Sequence, residues 1–449
     1  MKKAKYFTTS PWNVVFFFLL LFTVRVQAQV NSPVDSIKKC FVFGQYAKAV
    51  QLADSLLKTD SSNTEVMWLA GKAMMEMYEY QNSETVLKKA LLIDPHSIKT
   101  LKSLFQVAQM QGKYKLATAC CDSILALDSS DYETHVNYGL LSLRTGKYDK
   151  ALEMFQALFQ ADSSNAFVNK QIGLIYYNIG NNDQAAYYFE KSLASNPEDI
   201  TLLQNLVNVS LNRKSYEMGM KYCDLGVQAD SANLFFIRNK AYLYFLEQNL
   251  DESYAWFSTV LAMGDSTPFT CKYAGITFHK LEMHGKAVPL LEKALLSEPD
   301  NIKLIYMLGM SYQRLYDYDM ALQKFQEGYM FQVPDSILLS VYFNQIAETY
   351  RLKGIMAFNR KKYDEANQNY SKAMENFLRA MACNPEDKRI LLQMAILQET
   401  QLKNLKQAMA YLIEFSISFQ PKNKADSLTL NYSLQKIGKL KEELHFLAE

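Results

Sequence analysis

Small and large apolar residues recur along this chain at a fixed spacing of 34 positions. Counting units from Val30, the eighth position holds Gly71, Gly139, Gly173, Ala241, Gly275 and Gly309. The twentieth holds Ala49, Ser83, Ala117, Ala151, Ala185, Ser253, Ala287 and Ala321, and the twenty-fourth holds Leu87, Phe155, Phe189, Phe257, Leu291 and Phe325. Two helices approach closely only where side chains are small, so the small positions mark a helix–helix contact and the large one fills the layer beside it. Between the two halves stand turns written GQY, GKY, GKY and DYD, in which Gly44, Gly112 and Gly146 suit the left-handed end of a first helix. Each unit closes on a helix stop and a fresh N-cap, through Pro95, Pro197 and Pro299 or through the phrase DSSN. Every unit therefore predicts a hairpin of two short antiparallel helices.

Nine such units follow one another without insertion within residues 29–335. The period then breaks: residues 336–387 keep a turn in the middle and ACNPED near the end, but have gained 18 residues. About eleven added before Ala347 and seven after Ala373 are nearly whole helical turns, which keeps the apolar faces aligned and predicts one elongated hairpin projecting from the array. A last unit spans 388–422, and 423–449 predicts a capping helix with Leu428, Leu434, Ile437, Leu440, Leu444 and Leu447 on one side. Phe105 and Val207 replace the small eighth residue, and Gly226 and Gly328 fall within second helices, so units three, six and nine are expected to pack less tightly.

The combination of a small residue at eight, Tyr near seventeen (Tyr46, Tyr80, Tyr114, Tyr148, Tyr216, Tyr318), Ala at twenty, an aromatic or Leu at twenty-four and Pro near thirty-two resembles the tetratricopeptide repeat family over nearly all of the chain after residue 28. That resemblance implies an all-α fold, an α-solenoid: a right-handed superhelix of about eleven helix hairpins with a C-terminal capping helix. It also implies a non-enzymatic scaffold that holds a protein or peptide partner in a concave groove lined by first helices.

Composition agrees with mostly helix: 449 residues carry only 16 Gly and 10 Pro. With 48 Lys+Arg against 46 Asp+Glu, no electrostatic footprint for nucleic acid stands out. Residues 1–28 read as a bacterial export signal, with Lys2, Lys3 and Lys5, the apolar run Val14 to Phe22, and a cut ahead of Gln29. The expected location is the periplasm or the outer membrane's inner face, or outside the cell. The apolar run is interrupted at Arg25, short of a membrane span. The six cysteines lack a C-x-x-C pair, and several fall on core-facing positions, where Cys behaves as a small hydrophobe.

Catalytic signatures are missing: no G-x-S-x-G, no HExxH, no P-loop and no dinucleotide fingerprint occurs, and a stack held by neighbour contacts needs no cofactor or metal. His279 and His284 straddle a turn and do not share a helical face. What remains is the inner face, which the resemblance places mainly at positions two, five, nine and twelve of the first helices. Cations recur there as Lys102, Lys170, Arg238 and Lys272, beside Tyr177, Tyr242, Phe245 and Tyr306. Aromatic anchors with cationic neighbours suit an extended peptide, the rings packing on its side chains and the cations taking carboxylates. The bland reading buries the rings between units with the lysine stems lying over them. The family's carboxylate clamp, Lys at five with Asn at nine, is not matched, since Asn208 follows Gln204. A glycan- or cell-wall-binding module using the same rings is the alternative. Asp-Ser pairs followed by an apolar residue or Thr, at Ser231, Ser266, Ser336 and Ser427, resemble a bacterial O-glycosylation sequon.

Overall fold

The computed structural model describes residues 32–331 and 335–447, so the expected export signal at 1–28 lies outside them. All regular structure among the described residues is helical. Two compact units divide the chain at Pro197 and Glu198. The first holds five hairpins: α1 (Pro33–Val42) with α2 (Tyr46–Thr59), α3 (Thr64–Glu76) with α4 (Tyr80–Ile93), α5 (Ile98–Met110) with α6 (Tyr114–Leu127), α7 (Tyr132–Arg144) with α8 (Tyr148–Ala161), and α9 (Ala166–Asn178) with α10 (Asn182–Leu193). The second opens with α11 (Ile200–Asn212) and α12 (Tyr216–Ala229), α13 (Leu234–Leu246) and α14 (Leu250–Ala262), α15 (Pro268–Lys280) and α16 (His284–Leu295), and α17 (Ile302–Arg314) and α18 (Tyr318–Met330). It continues with α19 (Ser336–Asn359), α20 (Tyr363–Cys383), α21 (Arg389–Thr400), α22 (Leu405–Ser418) and α23 (Lys424–Phe446).

Both kinds of turn follow from local chemistry. In DSSN, the Asp60 carboxylate ends α2 by accepting from the Ser62 backbone N–H at 3.0 Å and its hydroxyl at 2.7 Å. Asn63 then caps α3, its side-chain oxygen accepting from the Val66 N–H at 3.1 Å. Inside each hairpin one residue takes a left-handed conformation, and from α1–α2 to α19–α20 the next donates its N–H five residues back, as from Glu79 to the Met74 carbonyl at 2.9 Å; in α21–α22 Asn404 reaches six back, to Gln398 at 2.8 Å. Glycine fills that position at Gly44, Gly112, Gly146 and Gly180, but Tyr78, Lys214, Gln248, Glu282, Tyr316, Lys361 and Lys403 also hold it, at φ between 56° and 64°. A side chain there costs roughly 1 kcal/mol. Lys214→Gly, at an exposed site with φ 56°, should therefore raise the urea midpoint of unfolding; an unchanged or lower midpoint would count against that cost.

The hairpin core is a size exchange between positions sixteen residues apart. A Cβ added to Gly71, Gly139, Gly173 or Gly309 would meet the side chain of Leu87, Phe155, Phe189 or Phe325 at 2.5 to 2.7 Å, so the glycine is what admits the larger residue. Where the first helix carries the bulk, the partner is small: Phe105 stands in register with Cys121 and Val207 with Cys223, and all four are buried.

This corrects the expectation of loose packing in units three and six, because the same space is filled from the opposite helix. The glycines expected to weaken units six and nine also have packing roles. The Phe236 ring lies on Gly226 and the Tyr342 ring on Gly328, each 2.4 Å from where a Cβ would sit, and both aromatics are fully buried. Each glycine lets the next hairpin press an aromatic onto the helix.

Helices α19 and α20 run 24 and 21 residues against 13 in each of α17 and α18. Ala347, Ala357, Ala366, Tyr370, Ala373 and Phe377 share one core along them, with Gly354 beneath Tyr370. The terminal helix α23 buries a narrower stripe than its sequence suggests. Ile437 and Leu440 pack with Ala408 and Leu412, while Leu428, Leu434 and Leu447 are exposed. At about 100° per residue, Leu428 and Leu434 fall off the line through Ser433, Ile437 and Leu440.

Candidate functional site

The second unit brings three of the expected residues together on α13. Arg238, Tyr242 and Phe245 lie at i, i+4 and i+7 and so share a face, and Phe269, Lys272 and Tyr273 meet them from α15. Tyr242 lies 4.5 Å from Tyr273, 5.1 Å from Phe269 and 6.2 Å from Phe245, centroid to centroid, and Phe245 lies 5.3 Å from Tyr273. All four rings are half-buried. Cations sit over the cluster: Arg238 at 5.6 Å from the Phe269 ring, Lys272 at 5.8 Å from Tyr273 and Lys280 at 5.3 Å from Phe245. Burial, then the neighbouring Tyr273 hydroxyl, push the Tyr242 phenol above its ordinary range, so it stays a neutral donor.

The inner-face cations already have partners at the end of their own repeat or the start of the next. Lys272 Nζ reaches Glu298 at 2.7 Å, Arg238 lies 3.6 Å from Asp265, and Lys102 in the first unit bridges Asp131 at 2.8 Å and Glu133 at 2.7 Å. Burial pulls the Asp265 carboxyl upward, but the Thr267 N–H, the Thr270 hydroxyl and Arg238 together hold it below the usual carboxylate range. Lys170 and Tyr177, on α9, are half-buried, and Lys170 is engaged. Tyr306 packs rather than lines open space, with Phe325 at 5.8 Å and Tyr342 at 5.5 Å.

Sequence reasoning left out Tyr273, Asp265 and Glu298. A search for acids 26 to 31 residues after each inner-face cation finds the pairs Lys102–Asp131, Lys102–Glu133, Arg238–Asp265 and Lys272–Glu298. The turn brings His279 and His284 within 5.5 Å, and both Nδ1 atoms face Ser311 Oγ, at 2.8 and 3.4 Å. Burial, with His284 second, pushes His279 down to about 4. Among the described residues no group of three or more His, Cys, Asp or Glu is placed to hold a metal. Five cysteines are buried thiols and Cys383 is half-buried. Burial raises Cys120 to about 11 and Cys121 and Cys223 to about 12, which keeps them unreactive. Ser231, Ser266, Ser336 and Ser427 are all exposed, and the Ser427 hydroxyl donates to the Asn423 carbonyl at 3.1 Å.

Helix hairpins stacked one on the next within each unit define an α-solenoid of the helical-repeat class. One family model for the tetratricopeptide repeat matches residues 103–166 and a second matches 171–199. The chain carries tetratricopeptide repeats over these residues. It is similar to YrrB, described as a tetratricopeptide repeat protein with an unusual peptide-binding site, at 22% identity over 46% of this chain and 97% of that one, with a TM-score of 0.39. It is also similar to PilF of Pseudomonas aeruginosa, at 21% over 48% and 97% with a TM-score of 0.36. A tetratricopeptide repeat protein from Parabacteroides merdae aligns at 14% over 62% and 98% with a TM-score of 0.38. No curated protein matches the chain. Its repeats suggest a protein–protein interaction scaffold, and proteins of this kind are generally non-enzymatic. No helix among the described residues is long and apolar enough to cross a membrane.

Proposed function

We propose that this chain is a non-enzymatic adaptor of a bacterial cell envelope that holds an extended peptide or partner segment along the inner face of its first helices. The observation that carries the reading is the half-buried cluster of Tyr242, Phe245, Phe269 and Tyr273 beneath Arg238 and Lys272. Rings on two successive first helices, still partly open to solvent, are suited to anchor apolar side chains of a strand laid across them. The cations serve it by exchange: Glu298 keeps 40% of its side chain exposed, so a partner carboxylate can replace it on Lys272 at little cost. Envelope placement rests on the export signal read at residues 1–28.

The mutual packing of the rings, tilted at 4.5 Å and edge-on at 5.1 Å, uses the faces that a sugar would stack on and counts against the glycan-binding alternative. A photo-reactive residue at Tyr242, with a control at Lys191 on the second helix α10, should trap a discrete envelope protein from the first site only. Arg238→Gln with Lys272→Gln should lower that yield about tenfold. Equal trapping at both sites, or none at Tyr242, would overturn the proposal.

A further inference from the structure

A pocket of about 510 Å³ opens in the first unit among α3, α5 and α7, and its lining differs in kind from the aromatic cluster of the second unit. Its charged groups are Glu76 and Glu133, its aromatic groups Tyr78, Tyr80 and Phe105, and no lysine or arginine lines it. Glu133 is shared with Lys102 at its flank, while Glu76 is exposed and makes no ion pair among the described residues. Glu76 also stands in the last turn of α3, which holds no basic residue. The helix dipole presents negative charge there, so a carboxylate at that end is unfavourable until a cation joins it.

The Tyr78 ring is kept at a cost to stability. It occupies the left-handed turn position at φ 62°, which glycine fills in four other hairpins of the same unit, and it is 79% exposed, so no core contact explains it. It meets Tyr80 edge to face at 6.2 Å, so two phenol rings and two carboxylates border one opening. The equivalent turn of the second unit is a natural contrast: Tyr316 is likewise left-handed beside Tyr318, but Arg314 stands where α3 has Glu76. The amides of Gln106 and Gln109, one turn apart on α5, complete the lining with groups that both donate and accept, as the backbone beside a bound side chain requires.

We propose that this pocket takes one cationic side chain, a guanidinium or ammonium, from an extended partner segment. The proposal rests on the reading that a partner lies along the inner face. The carboxylates neutralise the charge, the tyrosines present their negative ring faces, and the glutamines hold the adjoining peptide group.

The test uses the full chain labelled at methionine methyl groups, with Met75 and Met110, which line the pocket, as reporters assigned through single Met→Leu substitutions. The probe is the blocked tripeptide alanyl-arginyl-alanine amide, compared with its citrulline counterpart, which has the same shape and no charge. The arginine peptide should shift both methyl signals, and the citrulline peptide should bind at least about tenfold more weakly. Glu76→Gln should weaken arginine binding by a similar factor. Tyr78→Gly should weaken it while raising the unfolding midpoint, a pairing that a purely structural role would not give. Equal response to both peptides, or full binding by Glu76→Gln, overturns the proposal. Trapping at Tyr242 without any Met75 or Met110 response sinks the pocket alone; a methyl response without trapping at Tyr242 leaves the pocket and sinks the groove reading.

Discussion

Gly139→Phe should cost the α7–α8 hairpin more than about 3 kcal/mol, and Phe155→Cys in the same chain should restore most of that loss. A Cβ on Gly139 already falls 2.6 Å from the Phe155 ring, to which its three nearest neighbouring atoms all belong, so a full benzyl group has no room while the ring remains. Phe155→Cys alone leaves a void and should itself cost about 3 kcal/mol. The double variant recreates the arrangement of the preceding hairpin, where Phe105 and Cys121 are both buried in one core. Amide exchange on α7 and α8 is the measurement, because damage in a repeat stack is confined to the altered unit and its neighbours. Two additive losses, with no recovery in the double variant, would show that the hairpins differ in more than which helix carries the bulk.

Acidification should loosen the second unit between about pH 6.5 and pH 4. The folded protein keeps His279 neutral down to about 4, through burial first and the adjacent His284 second, whereas the unfolded chain takes up that proton near 6.5. The unfolded state therefore binds more protons throughout this window, and stability falls as the pH falls. The loss approaches about 3 kcal/mol at its lower end. The surrounding groups push the same way on balance. His284 is held down by its own burial and then by Arg314 of α17, while Glu282 in the turn opposes weakly, and Ser311 supplies no charge. His279→Gln keeps a polar partner for Ser311 and removes the titration, so its melting temperature should vary much less over the same range. An identical pH profile in the variant would assign the acid sensitivity elsewhere.

The hairpins and their turns were legible because they repeat: small and large residues returning at 34 positions mark where two helices touch. The volume at such a contact is a property of a pair, however, and reading Phe105 or Val207 alone suggests a defect that Cys121 or Cys223 has already removed. Gly226 and Gly328 misled for a related reason, since the rings they admit, Phe236 and Tyr342, belong to the following hairpin. The candidate site was half legible. Helical spacing gathered Arg238, Tyr242 and Phe245, but it says nothing across a turn. Tyr273 and the acids that hold the cations were missed there, as was the meeting of His279 with His284 around the left-handed Glu282.

The exchange of bulk between the two helices of a hairpin also limits how such an array can be rearranged. A crossover inside a hairpin, joining the first half of the Phe105 unit to the second half of the Phe155 unit, would set two phenyl groups against each other. The reciprocal product would face Gly139 with Cys121 and leave a hole. Breaks in the DSSN connections, by contrast, move each matched pair whole, so duplication and shuffling of these repeats can be silent only when they cut between hairpins.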